Sequence, residues 1–192
     1  MNEVTIKNYQ NWLKAKDLDK SLLLQIKEMS EKEIIDAFSL SLQFGTAGSR
    51  GIVGPGTNRM NIYTIRKTAL AFGRYLLNYY KDAKMQGIII TYDNRHYSKE
   101  FCLESAKVLT SLGIKTYVFG TVHSTPELSF AIRKLGCAGG VVITASHNPK
   151  EYNGFKVYDH NGCQLTPNLI DKLKPFYDEI INETELEFFQ NK

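Results

Sequence analysis

Apolar positions in the first half of the chain recur with helical spacing, interrupted once by a glycine-rich segment. Residues 6–40 are predicted to be helical, and Ser30 and Glu33 have the spacing of a capping box in front of the second amphipathic stretch. Residues 41–60 break the pattern and are expected to form a loop or short irregular strands. Helical spacing then returns over residues 61–80.

The second half of the chain alternates short apolar runs with helical segments. Four runs are predicted to be strands: residues 87–92, 114–119, 138–143 and 154–158. Helices join the first three, which should therefore be parallel. Residues 144–153 are too few for a helical crossover, so the fourth strand is expected to be antiparallel. A last helix is predicted from Thr166 to about Ile181.

These patterns predict an α/β fold: a three-layer α/β/α domain with a mixed four-stranded sheet, preceded by an N-terminal helical extension. The length of 192 residues suits one domain with an appendage. We assign residues 1–40 to the extension and residues 41–182 to the α/β domain. Residues 183–192 carry apolar side chains without a predicted partner, and we interpret them as the start of a linker to further domains; a frayed end is the alternative.

The composition argues against several classes of function. The net charge is +4, with basic residues scattered among acidic ones, which is typical of a solvated surface and not of a nucleic-acid-binding face. No apolar run is long enough to span a bilayer, and the N-terminus has no signal-peptide pattern. Cys102, Cys137 and Cys163 fit no metal motif and indicate reduced thiols. We expect a cytoplasmic protein without nucleic-acid or membrane partners.

The strongest candidate for chemistry is Ser146, which lies just beyond the apolar strand at residues 138–143. In open α/β sheets, ligands bind beyond the carboxyl ends of the strands. Pro149 restricts Asn148 to an extended or turned conformation and stiffens the loop. The G-x-S-x-G elbow of serine hydrolases is absent. His147 is expected to point away from Ser146, because neighbours in an extended segment face opposite ways, and to touch a substrate or phosphate instead.

Four short motifs carry a resemblance to a known family. They are T-A-S-H-N-P at residues 144–149, G-T-A-G-S-R-G at 45–51, D-N-R at 93–95 and N-G-F-K at 153–156. The first string is highly specific as a whole, whereas each of the other three alone would indicate only a turn or a surface site. For Asp93 and Arg95 we expect an ion pair that braces the loop. Together they resemble the alpha-D-phosphohexomutases, the phosphoglucomutase and phosphomannomutase superfamily, over roughly residues 40–180. Ser49 departs from the apolar residue that is usual there.

The resemblance implies phosphoryl transfer through a phosphoserine. In that family the serine gives its phosphoryl group to a sugar monophosphate, and the resulting bisphosphate turns round and returns its other phosphate. Ser146 would be the phosphoserine, and Arg50 would place a guanidinium on its phosphate. Lys156 would act as a point charge or as an acid or base, and His147 would donate to a sugar or phosphate oxygen. Such chemistry requires positioning and cancellation of charge more than covalent work.

The resemblance also implies partners and cofactors. Mg²⁺ would bind the phosphate on Ser146 together with carboxylates of an absent domain, and glucose 1,6-bisphosphate would act as activator. The family enzyme has four domains, and its D-G-D-x-D metal loop, its G-E-E-S-G sugar loop and its distal phosphate loop lie outside the first. Neither string, nor a segment like the distal phosphate loop, occurs here. We expect a sugar-phosphate substrate, the remaining three domains of the same polypeptide as partners, and negligible mutase activity from this domain alone.

The helical lead-in with Trp12 and the run at residues 54–61 resemble the branch that contains phosphoglucomutases and phosphopentomutases. We therefore expect the catalytic-serine domain of a phosphoglucomutase-type enzyme, which interconverts glucose 1-phosphate and glucose 6-phosphate. A phosphomannomutase or phosphopentomutase of the same superfamily is one alternative. A non-catalytic module that binds sugar phosphates is another.

Overall fold

The centre of the molecule is a mixed β-sheet. The computed structural model describes residues 1–45 and 48–186. Within them the strands are β1 (Phe44–Gly45), β2 (Gly48–Ile52), β3 (Ile88–Tyr92), β4 (Thr116–Val118), β5 (Gly139–Ile143) and β6 (Tyr152–Asp159). Their order in the sheet is β1-β2-β6-β5-β3-β4. Strands β3, β4 and β5 are parallel, and β6 runs antiparallel to both β5 and β2, so the predicted strand orientations are confirmed.

The described residues form six strands, and the prediction of a four-stranded sheet is therefore wrong. The two additional strands, β1 and β2, lie in the glycine-rich segment that was expected to be a loop or irregular strand. Strand β2 joins the sheet by main-chain pairing along β6, with Arg50 opposite Gly154. Because β1 has only two residues and glycines without side chains make up much of β2, neither strand shows the periodicity that reveals a half-buried strand.

Helices cover both faces of the sheet. They are α1 (Glu3–Lys14), α2 (Lys20–Glu28), α3 (Glu31–Phe38), α4 (Ile62–Tyr79), α5 (Ala83–Gln86), α6 (Ser98–Ser111), α7 (Thr125–Leu135) and α8 (Pro167–Asp178). The capping box of Ser30 and Glu33 is present at the start of α3. Within the described ranges, no helix combines the length and the apolar character that crossing a membrane would require.

Two apolar cores lie on opposite sides of the sheet. On one face, α4, α6 and α8 contribute side chains such as Phe72 and Leu173, which pack with Val141 of β5. On the other face, Leu128 and Ile132 of α7 pack against β3 and β5. This arrangement confirms the predicted three-layer α/β/α domain.

The N-terminal helices pack on the α/β domain through a third apolar cluster. Trp12, Ile26 and Phe38 are buried there against Tyr63, near the start of α4. The indole Nε1 of Trp12 donates to a carboxylate oxygen of Glu183 at 3.0 Å, and both side chains are buried. The predicted linker at residues 183–192 stays a prediction: residues 183–186 are described, and the remainder lies outside the described residues.

Candidate active site

The loop after β5 displays a serine on a strained main chain. All residues of β5 are buried, whereas Ser146 and His147 are exposed. Ser146 has a φ of 55°, in the left-handed region, where the sequence had suggested an extended segment. A non-glycine residue in that region costs about 1–3 kcal/mol, so its surroundings must enforce it. The amide of Asn148, which donates to the Ala145 carbonyl at 3.1 Å, is part of those surroundings.

The side chain of Lys156 reaches this serine from the neighbouring strand. Lys156 lies on β6 opposite Val142 of β5, and its Nζ donates to Ser146 Oγ at 2.6 Å. Burial lowers the pKa of Lys156, and the nearby Arg50 guanidinium lowers it further, while Asp93 has a smaller opposite effect. A lowered pKa brings the ammonium closer to releasing a proton near neutral pH, which an acid or base requires.

The side chain of Arg50 approaches the same loop from the other side of β6. Its Nη1 donates to Asn148 Oδ1 at 2.6 Å. Two cations therefore border the loop that carries Ser146, and both can donate to anionic oxygens. A phosphate on Ser146 would supply a negative charge to pair with these two cations. The planar guanidinium of Arg50 can donate to two of its oxygens.

Two glycines allow the strands that carry Arg50 and Lys156 to pack closely beside the loop. Gly48, at a φ of 123°, lies so close to β6 that an added Cβ would fall 1.9 Å from the Phe155 carbonyl oxygen. At Gly154 an added Cβ would lie 2.7 Å from the Thr144 oxygen and 3.0 Å from the Ser49 oxygen. Both glycines belong to the motifs at residues 45–51 and 153–156, so the close approach explains why these motifs contain glycine.

Ser49 is the position at which the chain departs from the family's usual apolar residue. Its side chain is buried within the sheet. Its hydroxyl makes no hydrogen bond of good geometry with a described residue. Burial raises the pKa of the Tyr177 hydroxyl, and the Ser49 hydroxyl lies near enough to oppose that rise in part. A buried hydroxyl without a well-formed hydrogen bond contributes little that an apolar side chain would lose.

Arg95 makes the predicted ion pair with Asp93, in which Nε lies 3.4 Å from Oδ2. It also binds the loop directly, which the sequence did not predict. Its two terminal nitrogens donate to four main-chain carbonyl oxygens, those of Ser146 at 2.8 Å, Asn148 at 2.6 Å, Pro149 at 2.8 Å and Tyr152 at 3.1 Å. No sequence signal could have identified these acceptors, since every residue has a carbonyl group.

The structure does not bring His147 into the cluster of Arg50, Ser146 and Lys156. Its side chain is exposed, and it makes no hydrogen bond, ion pair or ring contact with any described residue. The role expected for it, donation to a sugar or phosphate oxygen, stays a prediction. An exposed imidazole beside the serine is at least free to meet a ligand.

The described side chains do not by themselves fit a Mg²⁺ site. Mg²⁺ prefers a cage of oxygen ligands. Residues 1–45 and 48–186 contain no group of three or more histidine, cysteine or acidic side chains that could hold a metal. Ser146 Oγ faces an ammonium, and the Asp93 carboxylate is occupied by Arg95 and Ser98. Among the described residues of the site, the Ser146 oxygen is thus the one candidate ligand.

Comparisons with known proteins agree with this geometry. Residues 41–184 match the family model described as phosphoglucomutase/phosphomannomutase, alpha/beta/alpha domain I. A phosphoglucomutase of Staphylococcus epidermidis is 42% identical over 171 residues, which are 88% of this chain and 30% of the relative. One from Staphylococcus haemolyticus is 41% identical over 184 residues, 95% of this chain and 32% of the relative. The chain thus spans about a third of the length of these relatives.

Solved structures show the same relationship. A Thermus thermophilus protein described as a phosphomannomutase superposes with a TM-score of 0.64 at 30% identity, over 72% of this chain and 30% of that one. A phosphoglucomutase/phosphomannomutase family protein of Burkholderia thailandensis gives a TM-score of 0.59 at 24% identity, over 71% and 30% of the two chains, and supports the fold. The chain belongs to the phosphoglucomutase/phosphomannomutase family, of which it carries the α/β/α domain I.

Proposed function

We propose that this chain is the catalytic-serine domain of a phosphoglucomutase-type enzyme that interconverts glucose 1-phosphate and glucose 6-phosphate through a phosphoserine and a sugar bisphosphate. The observation that carries the proposal is the 2.6 Å contact between Lys156 Nζ and Ser146 Oγ, with the Arg50 guanidinium beside the same loop. The identity to phosphoglucomutases favours glucose phosphates over mannose or pentose phosphates.

In the proposed reaction Ser146 exchanges a phosphoryl group with a sugar hydroxyl. When phosphoserine donates, the sugar hydroxyl oxygen bonds to phosphorus and releases its proton to a base outside these residues. The bond between phosphorus and Oγ breaks, and the Lys156 ammonium gives its proton to Oγ. In the return step the Lys156 amine takes the proton from the Ser146 hydroxyl as Oγ attacks phosphorus, and the bond between phosphorus and the sugar oxygen breaks, so that this oxygen regains a proton. The lowered pKa of Lys156 suits both directions.

Arg50 acts on the phosphoryl group that moves. Its guanidinium is held at the Ser146 loop by the Asn148 side chain, and its donors can pair with two phosphate oxygens. Since phosphoryl transfer spreads charge over those oxygens, a fixed cation stabilises the transition state more than the ground state. His147 is proposed to donate to an oxygen of the sugar or its distant phosphate.

The proposed enzyme needs more than these residues. Mg²⁺ would bind through the phosphate on Ser146 and through carboxylates from the other domains, and it would neutralise phosphate charge. Three further domains of the same polypeptide would supply the metal, sugar and distal phosphate loops, and glucose 1,6-bisphosphate would prime Ser146. This proposal agrees with the share of each relative that the chain covers, about 30%.

Mass spectrometry tests the proposal at its central residue. We expect a phosphorylated peptide containing Ser146 after treatment with glucose 1,6-bisphosphate and Mg²⁺ of the protein purified from its own cells. Ser146→Ala should abolish that phosphorylation, and Ser129→Ala, a substitution of a serine on α7, should leave it unchanged. A lasting absence of phosphate on Ser146 would favour a non-catalytic module that binds sugar phosphates.

A coupled assay tests the need for further domains. The 192-residue chain alone is expected to show negligible conversion of glucose 1-phosphate. Turnover near that of a complete mutase would contradict the assignment of the metal and sugar loops to other domains.

A further inference from the structure

We propose that Arg95 is a positioning residue that holds the Ser146 loop in its reactive shape and thereby sets the spacing between the serine and both cations. The structural part of this inference concerns the loop alone. Its consequence for phosphoryl transfer rests on the proposed function.

Every nitrogen of the Arg95 guanidinium faces an acceptor of the protein itself. A guanidinium has five N–H donors. Nε pairs with the Asp93 carboxylate, Nη1 donates to the carbonyls of Pro149 and Tyr152, and Nη2 donates to those of Ser146 and Asn148. The side chain is 13% exposed. The four terminal N–H donors are thus taken by the loop and Nε faces a carboxylate, so Arg95 acts on the loop and not on a ligand.

The two carbonyls bound by Nη2 connect Arg95 to both cations. Ser146 receives the Lys156 ammonium on its hydroxyl, and Asn148 receives the Arg50 guanidinium on its amide oxygen. Arg95 fixes the main chain of both acceptors. Without these bonds the left-handed φ of Ser146 could relax to an ordinary value, which would rotate Oγ away from Lys156.

The turn at residues 93–95, which carries Arg95, is itself held in place by hydrogen bonds. Oδ1 of Asp93 accepts from the Ser98 hydroxyl at 2.7 Å and from the Arg95 amide at 3.0 Å. The Asn153 amide donates to the same Ser98 hydroxyl and to the His96 carbonyl, both at 3.0 Å. The D-N-R turn is therefore tied to β6, the strand that carries Lys156, and holds the loop in a fixed relation to it.

Arg95→Lys is the informative substitution because it keeps the charge but removes the planar fork. An ammonium has three donors and cannot reach four carbonyls arranged around a guanidinium. We expect amide hydrogen exchange at Asn148 and Tyr152 to become about tenfold faster or more, since several charge-assisted hydrogen bonds are lost. Exchange at the amides of β3 and β5 should remain within about twofold of the wild type.

Arg59→Lys is the matched control. Arg59 also pairs with a carboxylate, that of Asp36, and donates to the carbonyls of Asp36 and Asn58, but none of its acceptors lies in the Ser146 loop. This variant should leave exchange at Asn148 and Tyr152 unchanged. Guanidinium ions added to Arg95→Ala should restore protection of the loop, whereas they should have no such effect on Arg59→Ala.

Unchanged exchange in the loop would overturn the proposal, and so would equal loss of protection in β3 and β5, which would make Arg95 a general structural residue. Hydrogen exchange needs no turnover, so failure of the proposed function would leave this test valid.

Discussion

Lys156 and Ser146 face each other across the antiparallel pair of β5 and the following strand, with Nζ and Oγ 2.6 Å apart. The contact joins a hydroxyl to the amine whose pKa is lowered by burial and by Arg50. The cluster of Arg50, Ser146 and Lys156 contains two cations and no acidic side chain. The site is therefore electrostatically incomplete, and a phosphate on Ser146 would complete it.

Loss of Lys156 should impair the chemistry more than the binding of substrate. In a full-length mutase that carries this domain, Lys156→Gln removes the acid and base proposed for Ser146. We expect kcat to fall by about 10²–10⁴-fold with a smaller change in KM. Lys150→Gln is the control, because Lys150 is an exposed lysine of the same loop without a described partner. Equal activity of both variants in a coupled mutase assay would exclude an acid or base role for Lys156.

Phosphorylation of Ser146 should reverse the pKa shift of Lys156. Burial and Arg50 hold the pKa of this amine below its ordinary value in the unphosphorylated protein. A phosphate on Ser146 brings a negative charge next to Nζ, which favours the ammonium and raises the pKa. Titration of labelled Lys156 by NMR, before and after phosphorylation, checks this. A pKa that stays the same or falls would mean that the phosphate points away from Lys156.

The sequence predicted those parts of the fold that depend on apolar periodicity. The four apolar strands and their orientations follow from runs such as residues 141–143 and from the lengths of the connections. Strand β2 could not be distinguished from a loop because Gly48 and Gly51 carry no side chain that could show an apolar pattern.

The candidate site, too, was predictable from the sequence only in part. Arg50, Ser146 and Lys156 could be singled out because their motifs are specific, and the structure places all three at one loop. The four carbonyl bonds of Arg95 and the left-handed φ of Ser146 could not be foreseen, since both depend on how the main chain folds in three dimensions.

Gly154→Ala should destabilise the domain. The added Cβ would meet main-chain atoms at 2.7 Å and 3.0 Å, and the sheet cannot shift to admit it without weakening strand pairing. We expect the free energy of unfolding to fall by about 1–3 kcal/mol in urea denaturation. Gly120→Ala is the control, because an added Cβ there meets no described atom within 4 Å, and its effect should stay within about 0.5 kcal/mol. Equal stability of the two variants would show that β2 and β6 are more loosely paired.

Lys67→Met should stabilise the protein, in contrast to most substitutions in a core. Lys67 is 7% exposed, and its ammonium lies 4.4 Å from the centre of the Tyr177 ring. Burial is the main cause of its lowered pKa, and the charges of Glu183 and Asp178 oppose the shift only in part. No carboxylate among the described residues lies at ion-pair distance from it. Methionine fills a similar volume without a charge. We expect the free energy of unfolding at neutral pH to rise by about 1 kcal/mol.

The pH dependence gives the prediction about Lys67 a second test. Because its pKa is lower in the folded state, the unfolded chain binds more protons between the folded and the unfolded pKa. Stability should therefore rise with pH across that alkaline window in the wild type, and Lys67→Met should remove part of the rise. Lys172→Met, at an exposed lysine that lies 5.4 Å from the Tyr79 ring, should change neither quantity by more than about 0.5 kcal/mol. Destabilisation by Lys67→Met with an unchanged slope would mean that Lys67 is ion-paired after all, since only a compensated charge would make its removal costly.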